Sequence, residues 1–408
     1  MSDNLLLKGL KVIDAGSFIA GPVSTTILSD FGAEVIKIEP PKTGDSLRHL
    51  IERTKRVNPS AEEDYCWQLT SRNKKSLALD LGSEKGQEIL HKLIKEADVF
   101  VTNMPQRIRQ KLKINSSDLL PLNERLIYGS LTGYGEKGPD SHRTAFDTMA
   151  WWARSGLMDM VRPSENSAPA NPPIGMGDQP TGVALFASIM MALYRREKTG
   201  KGGEVHTSLM ANGAWSNGSF IQAGLFGAQF PERKEPSPLH PFGGRYKTKD
   251  NRYLILAIID ANKEWPKLLK ALDIEYLNED PRFSTFKKMN ENFTVLYEEL
   301  EKIFIQYSLK EITEKLRLSE VTFGILSHSN DHSKDQQFIE SEVLVKFDEG
   351  SFDEDFLTVN SPIFLENESK KIPTKAPKLG EHTKEILSSL GQDEEEIAQL
   401  KQDGIIDF

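Results

Sequence analysis

Residues Leu10 to Pro40, LKVIDAGSFIAGPVSTTILSDFGAEVIKIEP, decide the fold. LKVIDAG is apolar and β-prone, AGPVSTTILSDFG has helical spacing after Pro22, and AEVIKIEP is a second β-prone run. Strand, helix, strand at this length is a βαβ unit, and its two strands run parallel because the helix carries the chain back between them. The alternation continues downstream. SLALDL reads as a strand, SEKGQEILHKLIKEA as an amphipathic helix opened by Ser83, and DVFVTN and RLIYGSLT as two further strands. The expected fold is therefore α/β, a Rossmann-like parallel sheet with helices on both faces.

From Pro180 the run TGVALFASIMMALYRR is apolar nearly all round, which predicts a helix buried between layers. Arg195, Arg196 and Lys198 stand at its C-terminal end before Gly200, and EVHTSLM returns to strand. The character changes near residue 225. Pro and Gly gather in PERKEPSPLHPFGG, and RYKTKDNRYLILAI reads as two strands across a Lys-Asp-Asn turn. The section from about 262 to 335 is mostly amphipathic helix, and Pro-containing strand-like segments then lead to EHTKEILSSL and DEEEIAQLK, both helical. A large nucleotide-fold domain over 1–225, a smaller α+β domain over 226–335 and a final segment over 336–408 follow from these changes.

The 408 residues, 38% of them hydrophobic, suffice for two or three domains with a sizeable core. A formal charge of -9 argues against a general nucleic-acid binder while leaving room for a local basic patch that grips phosphates. Cys66 is the only cysteine, so no internal disulfide forms and a reducing cytoplasm is the expected compartment. In DYCWQL its neighbours are aromatic and aliphatic, which suits a packed thiol better than a nucleophile. MSDNLLLKGLKVID has neither the basic flank nor the apolar core of a signal peptide, and no later run approaches a membrane span.

Two motifs mislead. Gly133-Tyr134-Gly135-Glu136-Lys137-Gly138 matches GxGxxG, yet Pro139 and Asp140 follow it where a helix should open, and the first βα turn, AGSFIAG, lacks the glycine spacing. His328 and His332 in HSNDH have helical metal-ligand spacing, but Ser, Asn and Asp between them read as a loop, so no metal is expected. Lys74, Lys75, Arg107, Arg109 and Lys111 lie beside strands or strand ends, where phosphates bind in such folds.

The stretch Ile174 to Gly182, IGMGDQPTG, sets one carboxylate in a glycine hinge at the mouth of the apolar helix. Asp is a preferred N-cap and Pro suits the first turn, so Asp178 has a structural reading as a cap. Capping and chemistry are compatible. A helix N-terminus favours the ionised carboxylate and keeps it available as a nucleophile at neutral pH, and Gly175 and Gly177 would let a bulky thioester approach the backbone.

GLKVIDAGSFIAGPVSTTILSDFGAEVIKIEPPKTGDSLR, NKKSLALDL, GYGEKGP, the GDxxxG of Gly177 to Gly182, the helix ending YRREKTGKG, and KLGEHTKEIL occur in an order that resembles the class III coenzyme A transferase family, across almost the whole chain. NKKSLALDLGSEKG, TGYGEKGPD and FDTMAWWARSG look closest to the branch that handles 2-hydroxy acids and aryl-lactates. The resemblance implies an acyl-carrying aspartate at Asp178, covered by a glycine loop at Gly243 and Gly244, in HPFGGRY. It implies acyl-CoA and a small organic acid as substrates, with no tightly bound cofactor. It also implies a CoA site from Ile19 and Ala20, from Leu79, Asp80, Leu81 and Gly82 near adenine, from Asn103, Met104 and Pro105, from Lys111 at a phosphate, and from Arg143 to Phe146 along the pantetheine arm. Pro40 stands where the family commonly has arginine, which points to Lys42 or Lys74 for the missing charge. Finally it implies an interlocked homodimer whose large domain is built from both chain ends, so that 336–408 returns to it.

Related racemases move a proton α to the thioester with a Gly-His-Asp motif; here the triplet is Ala145-Phe146-Asp147, with His142 as the nearest histidine. A non-catalytic CoA-binding protein is a third class of answer, which Asp178 and the glycine loop argue against. Trp151 and Trp152, on a predicted helix after Asp147, are candidates for an acyl pocket suited to an aromatic or branched acid.

Overall fold

A computed structural model describes residues 5–54, 61–233, 240–353 and 356–408. All of MSDN and parts of PERKEPSPLHPFGG and VKFDEGSFDEDF therefore lie outside the described residues. The chain forms two compact units, one of Met1–Arg162, Ala168–Gln229 and Gln336–Phe408, the other of Pro163–Ser167 and Phe230–Asp335.

The first unit is built on strands β1 (Lys11–Asp14), β2 (Glu34–Glu39), β3 (Lys75–Leu79), β4 (Val99–Thr102), β5 (Ile127–Thr132) and β6 (Gly203–Ser208). All six are parallel, and a short C-terminal strand, Ile406–Asp407, pairs antiparallel with β3 at one edge. The spatial order is C-terminal strand, β3, β2, β1, β4, β5, β6. The order reverses at β1, which pairs with β2 on one side and β4 on the other. That reversal opens a crevice at the carboxyl ends of β1 and β4, where ligands of such sheets bind.

Alternation along the strands feeds two cores. Val12, Val35, Val99, Val101 and Ile127 pack on one face, while Ile13, Ile38, Leu77, Phe100 and Tyr128 pack on the other. Helix α1 (Ala20–Asp30) is buried at all eleven positions, and α2 (Glu84–Glu96) starts where the Ser83 hydroxyl accepts the Gly86 amide at 3.0 Å. Helices Thr383–Ser389 and Glu394–Gln402 add to the α2 face through Ile386, Leu387, Ile397 and Leu400.

Helix α3 (Asp178–Thr199) departs from the expectation of burial all round. Leu185, Phe186, Ile189 and Ala192 face the core beside α1, but Met191 is 74% and Tyr194 64% exposed. Apolar residues all round a helix signal burial; within one chain the sheet covers only one side of it. Helices α4 (Leu209–Ser216) and α5 (Gly218–Leu225) follow β6.

The second unit holds an antiparallel sheet of β7 (Arg245–Lys247), β8 (Tyr253–Leu256) and β9 (Phe323–Ile325). Helices Ala261–Leu272, Phe293–Phe304 and Leu309–Leu318 bury Trp265, Leu268, Leu296, Leu300 and Ile312 against Tyr246 and Leu254. β9 falls in the stretch read as mostly helical. Its three residues are too short to carry a period of two.

Candidate active site

The turn after β1 carries the first part of the site, and buried side chains fix it from below. Asp14 Oδ1 accepts the Gly16 amide at 2.9 Å, Lys37 Nζ donates to the Gly16 carbonyl at 2.8 Å, and Asp45 Oδ1 accepts the Phe18 amide at 3.1 Å. Asn103, just past β4, accepts the Ser17 amide and donates to the Ser17 carbonyl, both at 2.7 Å. The charges beneath form one fully buried network. Lys74 meets Asp14 Oδ2 at 2.9 Å, and Lys37 meets Asp45 Oδ2 at 2.9 Å. Burial pushes the Asp14 carboxyl up, but Lys74 and Lys37 overcome it and hold the group down at about 2. Burial pulls the Lys74 ammonium down to about 8 against the attraction of Asp14.

These contacts settle the placing of Lys74. Its Nζ also donates to the Pro22 and Thr70 carbonyls and to the Thr25 hydroxyl, so it is spent inside the fold and does not offer charge to a phosphate. Arg109 is likewise buried and pairs with Glu136 at 2.7 Å, while Lys75 pairs with Glu34 and Glu385. Lys42, Arg107 and Lys111 remain exposed. Glu136 also accepts the Ser130 hydroxyl at 2.7 Å, which staples the glycine-rich 133–138 loop back onto β5 as a plain loop. In HSNDH the Asp331 carboxylate accepts the His328 amide; among the described residues no group of three or more His, Cys, Asp or Glu is arranged to hold a metal. Cys66 is buried, and burial pushes its thiol up to about 11, so it is not a thiolate at neutral pH.

A cavity of about 160 Å³ opens at the carboxyl ends of β1, β4 and β5, and Asp178 lines it. It brings together Ala20, Asn103, Met104, Pro105, Arg143 and Phe146 from the sequence reading, and adds Ser17, Phe18 and Leu131 to Gly133. Ile19, Leu79, Asp80, Leu81, Gly82 and Lys111 are not among its lining residues. Ile19 packs against Gly175, Leu79 ends β3, and Asp80 to Gly82 form the turn into α2 along the same sheet edge. Lys111 ends a short helix, Gln106–Lys111, beyond β4.

Asp178 is the first residue of α3, not its cap. Gly177 occupies the cap position and supplies no side-chain bond. The partner it lacks comes from elsewhere: Asp147 Oδ2 accepts the Gly177 amide at 3.0 Å and Oδ1 accepts the Thr148 amide at 2.7 Å. The surroundings oppose the ionised form of this carboxylate. Burial, and then the neighbouring Asp147 charge, push Asp178 up to about 7. Asp147 thus does two things at once, fixing the hinge and disfavouring the anion beside it. His142 stands exposed outside the cavity.

Gly177 does not leave the backbone open: a Cβ there would come within 2.5 Å of the Trp151 ring, which already fills that space, whereas Gly175, with Ile19 Cδ1 at 3.3 Å from its would-be Cβ, lines a separate cavity. Trp151, on a single π-helical turn (Thr148–Ala153), is buried behind Gly177 rather than lining the cavity, and stacks on Trp152 at 5.8 Å. Within the second unit, Gly243 closes a short turn with open space at its α-carbon, whereas a Cβ on Gly244 would lie 2.6 Å from the Tyr297 ring. Phe18, Asp45 and Asp147 as hinge anchor are the residues that motif reasoning missed. No local signal marks them, because each acts through a partner distant in sequence.

A model described as CoA-transferase family III matches residues 7–383. A Clostridioides difficile (R)-2-hydroxy-4-methylpentanoate CoA-transferase is 35% identical over 99% of this chain and 100% of its own length. A Clostridium sporogenes cinnamoyl-CoA:phenyllactate CoA-transferase is 31% identical over 98% and 96%. A crystal structure of a CAIB/BAIF family protein from Brucella suis superposes with a TM-score of 0.81 at 27% identity, covering 95% of this chain and 100% of that one. The chain belongs to CoA-transferase family III and moves coenzyme A between an acyl-CoA and a carboxylate.

Proposed function

We propose that Asp178 is the group that carries the acyl chain. The observation that carries this reading is a single carboxylate, free of hydrogen bonds among the described residues, facing a small cavity at the sheet's switch point. An Asp178 oxygen attacks the thioester carbonyl, the C–S bond breaks, and CoA leaves as the thiolate, giving a mixed anhydride. The thiolate attacks the Asp178 carbonyl carbon, releases the donor acid and forms an aspartyl-CoA thioester. The acceptor carboxylate attacks that thioester and expels the thiolate, which then takes the new acyl group and returns Asp178 to its starting state. Every intermediate stays activated, and enclosure protects the anhydride from water. Only the anion attacks, so an Asp178 near 7 must shed its proton first.

CoA in this reading lies along the carboxyl edge of the sheet, past the ends of β1, β3 and β4, with Lys42 or Lys111 at a phosphate. The acceptor is a small acid with a branched or aromatic side chain, a class supported by the substrates named for the two bacterial relatives. The working form is a cytoplasmic homodimer. Its support is the apolar surface of Met191, Tyr194, Trp215, Leu225 and Phe226. Among the described residues no helix is long and apolar enough to cross a membrane.

The test is an exchange assay with Asp178→Ala. The variant should bind CoA as the parent does and lose at least roughly 10³-fold in acyl exchange; exchange at the parent rate in a folded variant would overturn the assignment.

A further inference from the structure

Phe18 is a bulky residue with φ at 58°, in the left-handed region that side chains with a Cβ avoid. Such a conformation persists only where the surroundings over-determine it. Here they do. Side chains from Asp14, Lys37, Asp45 and Asn103 occupy the backbone polar groups of Gly16 and Ser17 and the Phe18 amide, and three of those four belong to or touch the buried charge network. The strained turn serves no core packing, since the Phe18 ring belongs to none of the hydrophobic cores. Instead the ring stands edge-on to Phe146, with centroids 5.5 Å apart and planes at 81°. Phe146 is itself half exposed, and both rings line the cavity that holds Asp178.

We infer that the Phe18–Phe146 ring pair is the specificity-determining wall of the acyl pocket, selecting monocarboxylic acids whose side chain is apolar and compact. This inference rests on Asp178 as the acyl carrier. Two aromatic rings offer dispersion contact and no hydrogen bond, so they favour carbon over a second carboxylate at the far end of the acid. A cavity of about 160 Å³ is close to the roughly 150 Å³ that accepts a benzene ring, so the rings set an upper bound on side-chain size as well. Asp45 is a positioning residue, holding the Phe18 amide and thereby the ring; the Lys37 ion pair holds Asp45.

Neither ring lies in a core, so both can be cut back without emptying the fold. The experiment measures kcat/KM of the parent, Phe18→Leu, Phe18→Gly, Phe146→Leu and Asp45→Asn for three acceptors: butyrate, 4-methylpentanoate and glutarate. In parallel, acyl-Asp178 is trapped with hydroxylamine. Loss of either ring should lower the preference for 4-methylpentanoate over butyrate and glutarate by roughly 10- to 100-fold. Asp45→Asn should move the preference in the same direction. An unchanged preference, with the Asp178 adduct still trapped, overturns the role of the rings. An equal rise in KM for every acyl-CoA also overturns it, placing the rings on the pantetheine arm. Absence of the adduct in the parent overturns instead the assignment on which the inference rests.

Discussion

At the scale of the residue, the site turns on how two carboxylates divide their work. Asp147 is committed to two backbone amides, while Asp178 keeps its oxygens for the cavity and is raised to about 7 by burial and by Asp147. Because the anion is the nucleophile, kcat/KM for the donor should fall about tenfold per pH unit below 7 and level off above it. Asp147→Asn should move that limb to lower pH, and a pH–rate profile of both proteins checks it. The same shift acts on stability. A group whose folded pKa is raised stabilises the fold below its unfolded value, and that contribution is lost as pH rises through the folded value. Asp178→Asn should therefore match the parent in urea unfolding near pH 4 and exceed it above pH 7 by up to roughly 4 kcal/mol. Asp178 itself was legible, since a lone carboxylate between glycines and an apolar helix is a local pattern. Its protonation was not, because Asp147 and the enclosing cavity come from other segments.

At the scale of the element, the first βαβ unit depends on charge buried where the sequence suggested phosphate contact. Lys74 reads as a basic residue near a strand end, and only the fold reveals Asp14 Oδ2 at 2.9 Å with no solvent between. Lys74→Met strips Asp14 of its direct ion pair, leaving only the more distant Lys37, and should destabilise the chain by roughly 3–5 kcal/mol, read from the shift in denaturant midpoint. Replacing both partners with apolar residues should recover part of that loss. Helix α3 crosses α1 at Gly182, where a Cβ would lie 2.6 Å from Val23 and 2.7 Å from the Ala20 carbonyl. Gly182→Ala should cost roughly 1–3 kcal/mol and displace the start of α3, lowering exchange along with stability. Strands β1 to β6 and helix α1 were readable because apolar runs bounded by turn residues carry their own period. The cap of α3 was not, since Gly177 borrows its hydrogen bond from Asp147.

At the scale of the whole molecule, strand–helix alternation pointed to a parallel α/β sheet and the resemblance carried by the order of motifs pointed to a CoA transferase, and both stand. What one chain leaves unexplained is its surface. Trp215, Leu225 and Phe226 are 88%, 76% and 85% exposed, and together with Met191 and Tyr194 they extend along α3, α4 and α5 and just past the end of α5. Water-facing apolar area of this kind marks a contact surface, which the proposed homodimer would cover. Light scattering should give twice the chain mass, and Trp215→Glu with Phe226→Glu should weaken the association. Catalysis in this protein turns on one bond. Parent enzyme is mixed with an acyl-CoA donor, quenched within a turnover and digested, and the peptides are weighed. An acyl or CoA adduct is expected on the peptide carrying IGMGDQPTG, at Asp178; an adduct on any other residue, or active turnover with none, would contradict Asp178 as the acyl carrier.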